Sequence, residues 1–346
     1  MAEKILHTVR FEPVGIEIEV EEEETVLEAA FRQGVSLMHG CKEGQCASCK
    51  SVLCNGDAEL LKYSTFALSD AEREQDRILL CRTIAYSDLV IELLNFDEGL
   101  LLRAIPVRTF QGQITSIVPL TDDIRRLEIL TDEPLRFWAG QYVDITVPGS
   151  GVTRSFSMAN PPSKQTALEF IIKIYPQGAF SSLLKDTLKN GDPIEIKGPY
   201  GSCLRQENRS GSMILVGGGS GMAPLLSILS DLVESGEQRP VRFFYGARTR
   251  RDLFMLDRIE ELGTCLRDFS FIPALSGPGV EPDWTGETGF IHEVLRRHLQ
   301  GELLNGEADA YSCGPPPMID AVLPVLQMTG LEPEDIHFDK FTPAVR

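Results

Sequence analysis

Cysteines stand at positions 41, 46 and 49, and a fourth, Cys81, follows after a gap of thirty-one residues. Thiols spaced in this way can form a disulfide, hold zinc, act as a redox pair or bind an iron–sulfur cluster. A structural zinc site usually draws on two short Cys or Cys/His pairs, and only Cys46-x2-Cys49 qualifies here. A Rieske centre needs two histidine ligands, and His39 is the one histidine beside the loop. The pattern C-x4-C-x2-C with a distant fourth thiolate is one that holds a [2Fe–2S] cluster. The small residues Gly40, Gly44, Ala47 and Ser48 would let backbone N–H groups approach the sulfurs, and Cys54 is expected to be a buried strand residue.

A second run with chemical potential is Gly217-Gly218-Gly219-Ser220-Gly221-Met222-Ala223-Pro224, which follows an apolar strand and opens a helix. Such a turn can seat a dinucleotide pyrophosphate on free N–H groups, although glycine is also common in plain strand-to-helix turns and the spacing is not G-x-G-x-x-G. Cys313-Gly314-Pro315 closes a later strand, where a cysteine is ordinarily a core thiol. His292-Glu293 and His298 imitate a zinc-protease helix, but the spacing is H-E-x4-H. Six residues turn a helix by about 600°, which sends the two rings to opposite sides.

These residues need three kinds of scaffold. Residues 4–11 and 15–20 alternate as half-buried strands, and Thr25-x-x-Glu28 is a capping box opening a helix that stops at Gly34. The cysteine loop, a strand near 50–54 and a last strand at 89–93 complete an α+β domain over 1–98, with a connector at 97–108. Strand signals at 112–117, 124–130, 142–147, 154–158, 168–175 and 193–197 predict a six-stranded antiparallel β-barrel over 105–207. It is interrupted by one helix capped at Ser181 or Ser182 and ended at Gly191. From 208 to 346 strands at 213–216, 241–245, 269–273 and 309–313 alternate with helices at 224–234, 254–262 and 318–328, which predicts a parallel α/β sheet. Pro324 is expected to kink or shorten the last helix.

The chain has 346 residues and a net charge of −18, of which residues 1–98 carry −11 from nine Lys/Arg against twenty Asp/Glu. That field repels phosphate backbones, so no nucleic-acid partner is expected, and the acidic first domain either serves solubility alone or docks on a basic protein surface. No apolar run approaches the ~18 residues of a membrane span, and the N-terminus lacks a signal-peptide pattern, so a soluble, cytoplasmic protein is expected.

The cysteine loop resembles plant-type ferredoxin domains of β-grasp fold, and the remainder resembles the ferredoxin–NADP reductase family. The resemblance covers nearly the whole chain. It implies that Arg154-Ser155-Phe156-Ser157 stands for that family's Arg-x-Tyr-Ser flavin motif, with Arg154 on a flavin phosphate, Ser157 near the reactive edge and Phe156 packing without the usual hydroxyl. Gly178-Ala179-Phe180-Ser181 matches the Gly-x-x-Ser pyrophosphate motif, and Ile172-Lys173-Ile174-Tyr175 fits the strand lining the cofactor. Read alone, Arg154 is a surface arginine and Ser181 a helix cap. By the same resemblance Cys313 and Gly314 close over a nicotinamide bound at Gly217, Gly218, Gly219, Gly221 and Pro224, and Phe341 lies near the flavin. The segment Tyr245 to Leu253 holds three arginines that could grip a 2′-phosphate, yet similar segments occur in NADH-using relatives, and NADH is expected over NADPH. The ligands of the cluster would be Cys41, Cys46, Cys49 and Cys81, with Lys42, Glu43 and Gln45 at the rim.

The domain order is similar to that of reductase components of soluble diiron monooxygenases of the methane, propane and phenol type. The wording at Leu80–Thr83 and Phe338–Pro343 favours the alkane branch, propane in particular. The resemblance implies an electron path from NADH through FAD and the cluster to a diiron hydroxylase. Reductases of ring-hydroxylating dioxygenases, which feed a Rieske centre, and cluster-dependent deoxysugar reductases share this order, and a non-catalytic flavin-binding carrier is the rival from another class.

Overall fold

The computed structural model describes residues 5–277, 283–304 and 306–342, and Lys4 and Pro343 of the segments above lie outside them. The chain divides into two compact units, Met1–Arg108 and Thr109–Arg346.

In the first unit β1 (Leu6–Glu12) and β2 (Ile16–Glu21) form a hairpin, followed by α1 (Val26–Arg32). Thr25 caps that helix as the sequence predicts: its hydroxyl takes the Glu28 N–H while the Glu28 carboxylate takes the Thr25 N–H. After the cysteine loop come β3 (Lys50–Asn55), β4 (Ala58–Leu60), the short α2 (Asp70–Arg73), β5 (Arg77–Leu79), β6 (Thr83–Ala85), β7 (Leu89–Leu93) and α3 (Glu98–Leu102). The main sheet runs β2-β1-β7-β3-β5, with β1 and β7 parallel and the other pairs antiparallel. Val9, Phe11, Val20 and Ile91 on one face pack the fully buried Val26, Leu27 and Ala30 of α1, so the sheet grasps a single helix. The connector is not wholly irregular, because Asp97 caps α3 by accepting the Leu100 N–H.

The second unit opens with β8 (Arg108–Pro119), β9 (Ile124–Thr131), β10 (Tyr142–Val147), β11 (Val152–Ser157) and β12 (Ala167–Lys173), then α4 (Ala179–Asp186) and β13 (Pro193–Tyr200). Their order is β11-β10-β13-β8-β9-β12, and a bridge between Met158 and Phe170 brings the two ends of the curled sheet together. The helix starts three or four residues earlier than its serines suggest. Gly178 is the N-cap, and Ser181 instead turns its hydroxyl back to accept the Tyr175 N–H at 3.0 Å. Gly191 does not end the helix, which stops at Asp186; it forms the turn into β13.

The remaining elements are β14 (Met213–Gly218), α5 (Met222–Ser235), β15 (Val241–Ala247), α6 (Leu256–Thr264), β16 (Phe269–Leu275), β17 (Glu287–Thr288), α7 (Ile291–Leu299), β18 (Asp309–Gly314), α8 (Pro316–Gln327) and β19 (Ile336–Lys340). All pairs in the sheet β17-β16-β15-β14-β18-β19 are parallel. Helices cover both faces, which is why β14 reads as an unbroken apolar run. Pro324 sits inside α8 without shortening it, since the helix runs on to Gln327. The barrel and this sheet share one hydrophobic core in which Ile124, Ala139 and Ile171 meet Leu225, Ile228 and Leu229 of α5. The Ser227 hydroxyl adds a buried 2.8 Å hydrogen bond to the Asn160 carbonyl.

Candidate functional site

The cysteine loop folds around its own sulfurs. Lys42, Gly44 and Ala47 all take left-handed backbone conformations, which turn successive N–H groups inward. Glu43 and Gln45 donate to the Cys41 sulfur at 3.4 and 3.1 Å, and Cys41 donates to the Cys46 sulfur at 3.2 Å. Gly44 also directs its N–H at Cys81. The two glycines are there for space. A Cβ on Gly40 would come within 2.9 Å of the Cys46 sulfur, and one on Gly44 within 2.8 Å of Tyr63 and 2.9 Å of Arg82.

The four thiols are grouped as two pairs. Cys41 lies with Cys46 on the loop, and Cys49, just before β3, lies 3.3 Å from Cys81 in the turn after β5. Within each pair the neighbouring sulfur splits the two thiols: contact with Cys41 holds Cys46 down to about 5, and contact with Cys81 lowers Cys49. Their partners are pushed up by the same bonds and then by burial. The thiolate is the metal-binding form, so metal bound here takes the place of the proton that each pair shares. Two thiolates per metal, surrounded by N–H donors, fit a two-iron cluster, and soft thiolates suit iron and sulfide. His39 is not among them, because it is buried against Phe31 with Nδ1 2.8 Å from the Leu37 carbonyl oxygen.

Cys54 corrects the sequence reading. It is exposed, because the register between β3 and β7 shifts between Leu53 and Asn55 and turns it outward. Cys265 is exposed as well, whereas Cys203 and Cys313 are buried. Alkylation of the iron-loaded protein is therefore expected to modify Cys54 and Cys265 alone, and Cys46 should join them once iron is chelated, as peptide mass spectrometry would show.

In the barrel, β11 carries Arg154, Phe156 and Ser157. Arg154 is half-buried and donates to the Thr153 carbonyl at 2.7 Å, while Ser157 is buried beside Tyr142, its register partner on β10. The Phe156 ring lies 4.7 Å from that of Phe180, at the start of α4. Ile172 is buried on β12, Lys173 is paired with Asp123, and Tyr175 is 44% exposed. Because Gly178 supplies no side-chain cap, the N–H groups of the first turn of α4 are left without one. An arginine, a helix N-terminus and the packed Phe156–Phe180 pair are groups that fit a flavin with an anionic tail.

At the carboxyl end of the parallel sheet, Gly217 and Gly218 end β14, a tight turn spans Gly219 to Gly221, and Pro224 stands in the first turn of α5. Gly221 is crowded, since a Cβ there would lie 2.0 Å from the Cys313 carbonyl oxygen. Gly219 is open, left-handed and free of neighbours within 4 Å of an added Cβ, and its carbonyl accepts the Tyr245 hydroxyl at 2.9 Å. Cys313, next to last in β18, is fully buried, its sulfur 3.9 Å from that of Cys203. The Cys203 contact raises the Cys313 thiol well above its ordinary value, with burial acting the same way. Gly314 accepts the N–H of half-buried Phe341 at 2.9 Å. The glycine turn therefore lies at the carboxyl edge where parallel sheets bind nucleotides. His292 and His298 lie on α7, with His292 stacked on Phe290 and His298 bonded to Glu287, so they share no site.

Three family models match the chain: a 2Fe-2S iron-sulfur cluster binding domain over residues 9–86, an oxidoreductase FAD-binding domain over 111–204 and an oxidoreductase NAD-binding domain over 215–323. Over 342 residues the chain is 48% identical to the reductase component of propane 2-monooxygenase from Rhodococcus jostii, covering 97% of this chain and 91% of that one. The chain belongs to the family of monooxygenase reductase components. It is also 39% identical to the phenol 2-monooxygenase reductase component DmpP of Pseudomonas, over 98% of this chain and 95% of that one. Among solved structures it is similar to the cytochrome P450 reductase GcoB of Amycolatopsis, with a TM-score of 0.88 and 31% identity over 98% of this chain and all of that one. The reductase is thus an oxidoreductase with sites for NAD(H), FAD and a [2Fe–2S] cluster, on a ferredoxin domain, a flavin barrel and a nucleotide-binding sheet. Among the described residues no helix is long and apolar enough to cross a membrane.

Two features of the site had no signal in the sequence. Phe66 is 96% exposed on a turn tied to the cysteine loop, since Ser64 donates to the Gly44 carbonyl at 3.0 Å. Cys203 reaches Cys313 across 110 residues of chain.

Proposed function

We propose that the chain is the NADH-dependent reductase of a hydrocarbon monooxygenase, propane in particular, passing electrons through FAD and the [2Fe–2S] cluster to a diiron hydroxylase. The observation that carries this reading is the succession of three built sites, matched over nearly full length by the propane 2-monooxygenase reductase components. Identity falls to 32% with the electron transfer component of toluate 1,2-dioxygenase, which favours the monooxygenase over the dioxygenase reading. Division into domains at 1–98, 105–207 and 208–346 and a cytoplasmic setting are part of the same proposal.

In it, Cys41, Cys46, Cys49 and Cys81 hold the cluster. Arg154 and the first turn of α4, with Gly178 and Ser181, bind the flavin phosphates, while Phe156, Phe180, Ile172, Lys173, Tyr175 and Phe341 bound the flavin and Ser157 places a hydroxyl at its reactive edge. Gly217, Gly218, Gly219, Gly221 and Pro224 seat the dinucleotide, with Cys313 and Gly314 aligning the nicotinamide. NADH rather than NADPH is part of the same proposal, on the likeness of the 245–253 segment to those of NADH-using relatives. Electrons leave at the rim formed by Lys42, Glu43, Gln45 and Phe66, inside an acidic domain suited to a basic partner surface.

The test is reconstitution of propane oxidation from NADH with a purified diiron hydroxylase. Turnover with a Rieske dioxygenase and none with the hydroxylase would reverse the assignment. Phe66→Ala is expected to slow electron delivery to the hydroxylase roughly tenfold, as loss of an exposed aromatic anchor does, while NADH-driven ferricyanide reduction stays unchanged. Equal losses in both assays would remove Phe66 from the exit surface.

A further inference from the structure

A carboxylate stands at the dinucleotide cleft with no part in the motifs described so far. Asp123 lies in the turn between β8 and β9 of the barrel, held by Thr121, whose hydroxyl bonds both its carboxylate and its N–H at 3.3 Å. One oxygen of Asp123, Oδ2, takes two cations. One is the ammonium of Lys173, on the barrel strand proposed to line the flavin. The other is the Arg248 guanidinium, at 3.2 Å, from the nucleotide-binding sheet.

The two cations are anchored very differently. Arg248 is one residue beyond the end of β15, and its carbonyl is fixed by the Gly277 N–H at 2.7 Å, where a Cβ on Gly277 would come within 2.4 Å. Its backbone is therefore pinned while its side chain is 68% exposed. Its second partner is Asp252, at 3.4 Å, which is itself held by the N–H and hydroxyl of Thr249. Lys173 is only 26% exposed and stays on its strand. Gly246 of β15 is in register with Gly218 of β14, so Arg248 lies beside the glycine turn, whose Gly219 carbonyl is held by Tyr245 of the same strand.

A dinucleotide carries phosphate charge into this cleft, and an exposed guanidinium with one weak, solvent-screened partner on each side is free to exchange them. We propose that the Asp123–Arg248 ion pair is a removable latch over the dinucleotide site, in which Arg248 passes from Asp123 to a phosphate of the incoming coenzyme while Asp123 remains on Lys173. Asp123 is then a positioning residue that competes with the coenzyme for Arg248. The inference rests on the placement of the dinucleotide at Gly217–Gly221.

The test is a double-mutant cycle read by calorimetric titration of NAD+ into the oxidised, FAD-loaded reductase, with flavin absorbance confirming equal loading. Asp123→Asn is expected to tighten NAD+ about two- to fivefold, the size of an exposed ion pair, with the gain shrinking as salt rises. Arg248→Gln should weaken binding, and in that background Asp123→Asn should have no effect. An unchanged dissociation constant in Asp123→Asn, or a gain that persists without Arg248, would overturn the latch. Asp123→Ser repeats the cycle if the asparagine variant loses flavin. Gly221→Ala serves as the control for the site itself: normal NAD+ binding by that variant would remove the underlying placement, whereas lost binding together with an additive cycle would remove the latch alone.

Discussion

Cys81→Ser is expected to abolish cluster assembly while leaving the flavin and nucleotide unit working. Cys81 and Cys49 are 4% and 5% exposed, and their sulfurs are 3.3 Å apart. Serine fits that space but substitutes a hard, weakly acidic hydroxyl for a soft thiolate at a site selective for soft ligands. Iron content should fall by on the order of tenfold or more, since an incomplete thiolate set loses most of a site whose binding energy is also folding energy. The cluster's visible absorption and its EPR signal after reduction should disappear with the iron. Electron delivery to the hydroxylase should be lost, and NADH–ferricyanide reduction should survive because Arg154, the α4 turn and the glycine turn all lie in the other unit. The buried hydroxyl should also cost the first unit about 1–3 kcal/mol. Cys54→Ser is the matched control, as that thiol is exposed and off the loop. Full iron retention in Cys81→Ser, or equal iron loss in Cys54→Ser, would refute the ligand set.

The contrast between Cys81 and Cys54 shows what the sequence carries and what it hides. The spacing of the first three cysteines is a local property of one loop, so it can be read directly, as can the capping box at Thr25 and Glu28. The alternation of strands and helices after residue 208 is legible for the same reason, because each element writes its own period. The outward turn of Cys54 depends on a register shift between β3 and β7, and a one-residue slip sends a side chain to the other face without changing composition. Ser181 looks like a helix cap, but its hydroxyl is used by Tyr175, six residues earlier, and the uncapped Gly178 becomes the start of α4. Pro324 lies near the end of α8 and does not stop the helix, which runs on to Gln327. The Asp123–Arg248 pair joins residues 125 apart in the chain and leaves no periodic trace. In this reductase the cofactor loops are short-range objects, while the contacts that close and couple the sites are long-range ones.

The glycine turn offers a test in which two neighbouring positions should respond for different reasons. Gly221 has φ −60° and ψ −11°, a conformation any residue adopts, so alanine there incurs no backbone strain. Its cost is steric, because the new Cβ would sit 2.0 Å from the Cys313 oxygen, 2.5 Å from its carbonyl carbon and 2.9 Å from the Gly314 nitrogen. All three are backbone atoms of the strand end that carries Cys313, and no side chain can rotate away to make room. Gly221→Ala must push the α5 turn and the end of β18 apart, and overpacking of this kind costs about 1–3 kcal/mol or more. NAD+ affinity should fall at least tenfold, because a displacement near 1 Å is enough to spoil such a site. Flavin content should stay normal. Gly219→Ala is the opposite case: φ is +58° and an added methyl meets nothing within 4 Å, so only the left-handed backbone is penalised, by about 1 kcal/mol. Its NAD+ affinity should drop only a fewfold. Calorimetric titration and thermal melts of both variants decide the matter, and equal losses in the two would mean that close approach of Gly221 to Cys313 is not what shapes the site.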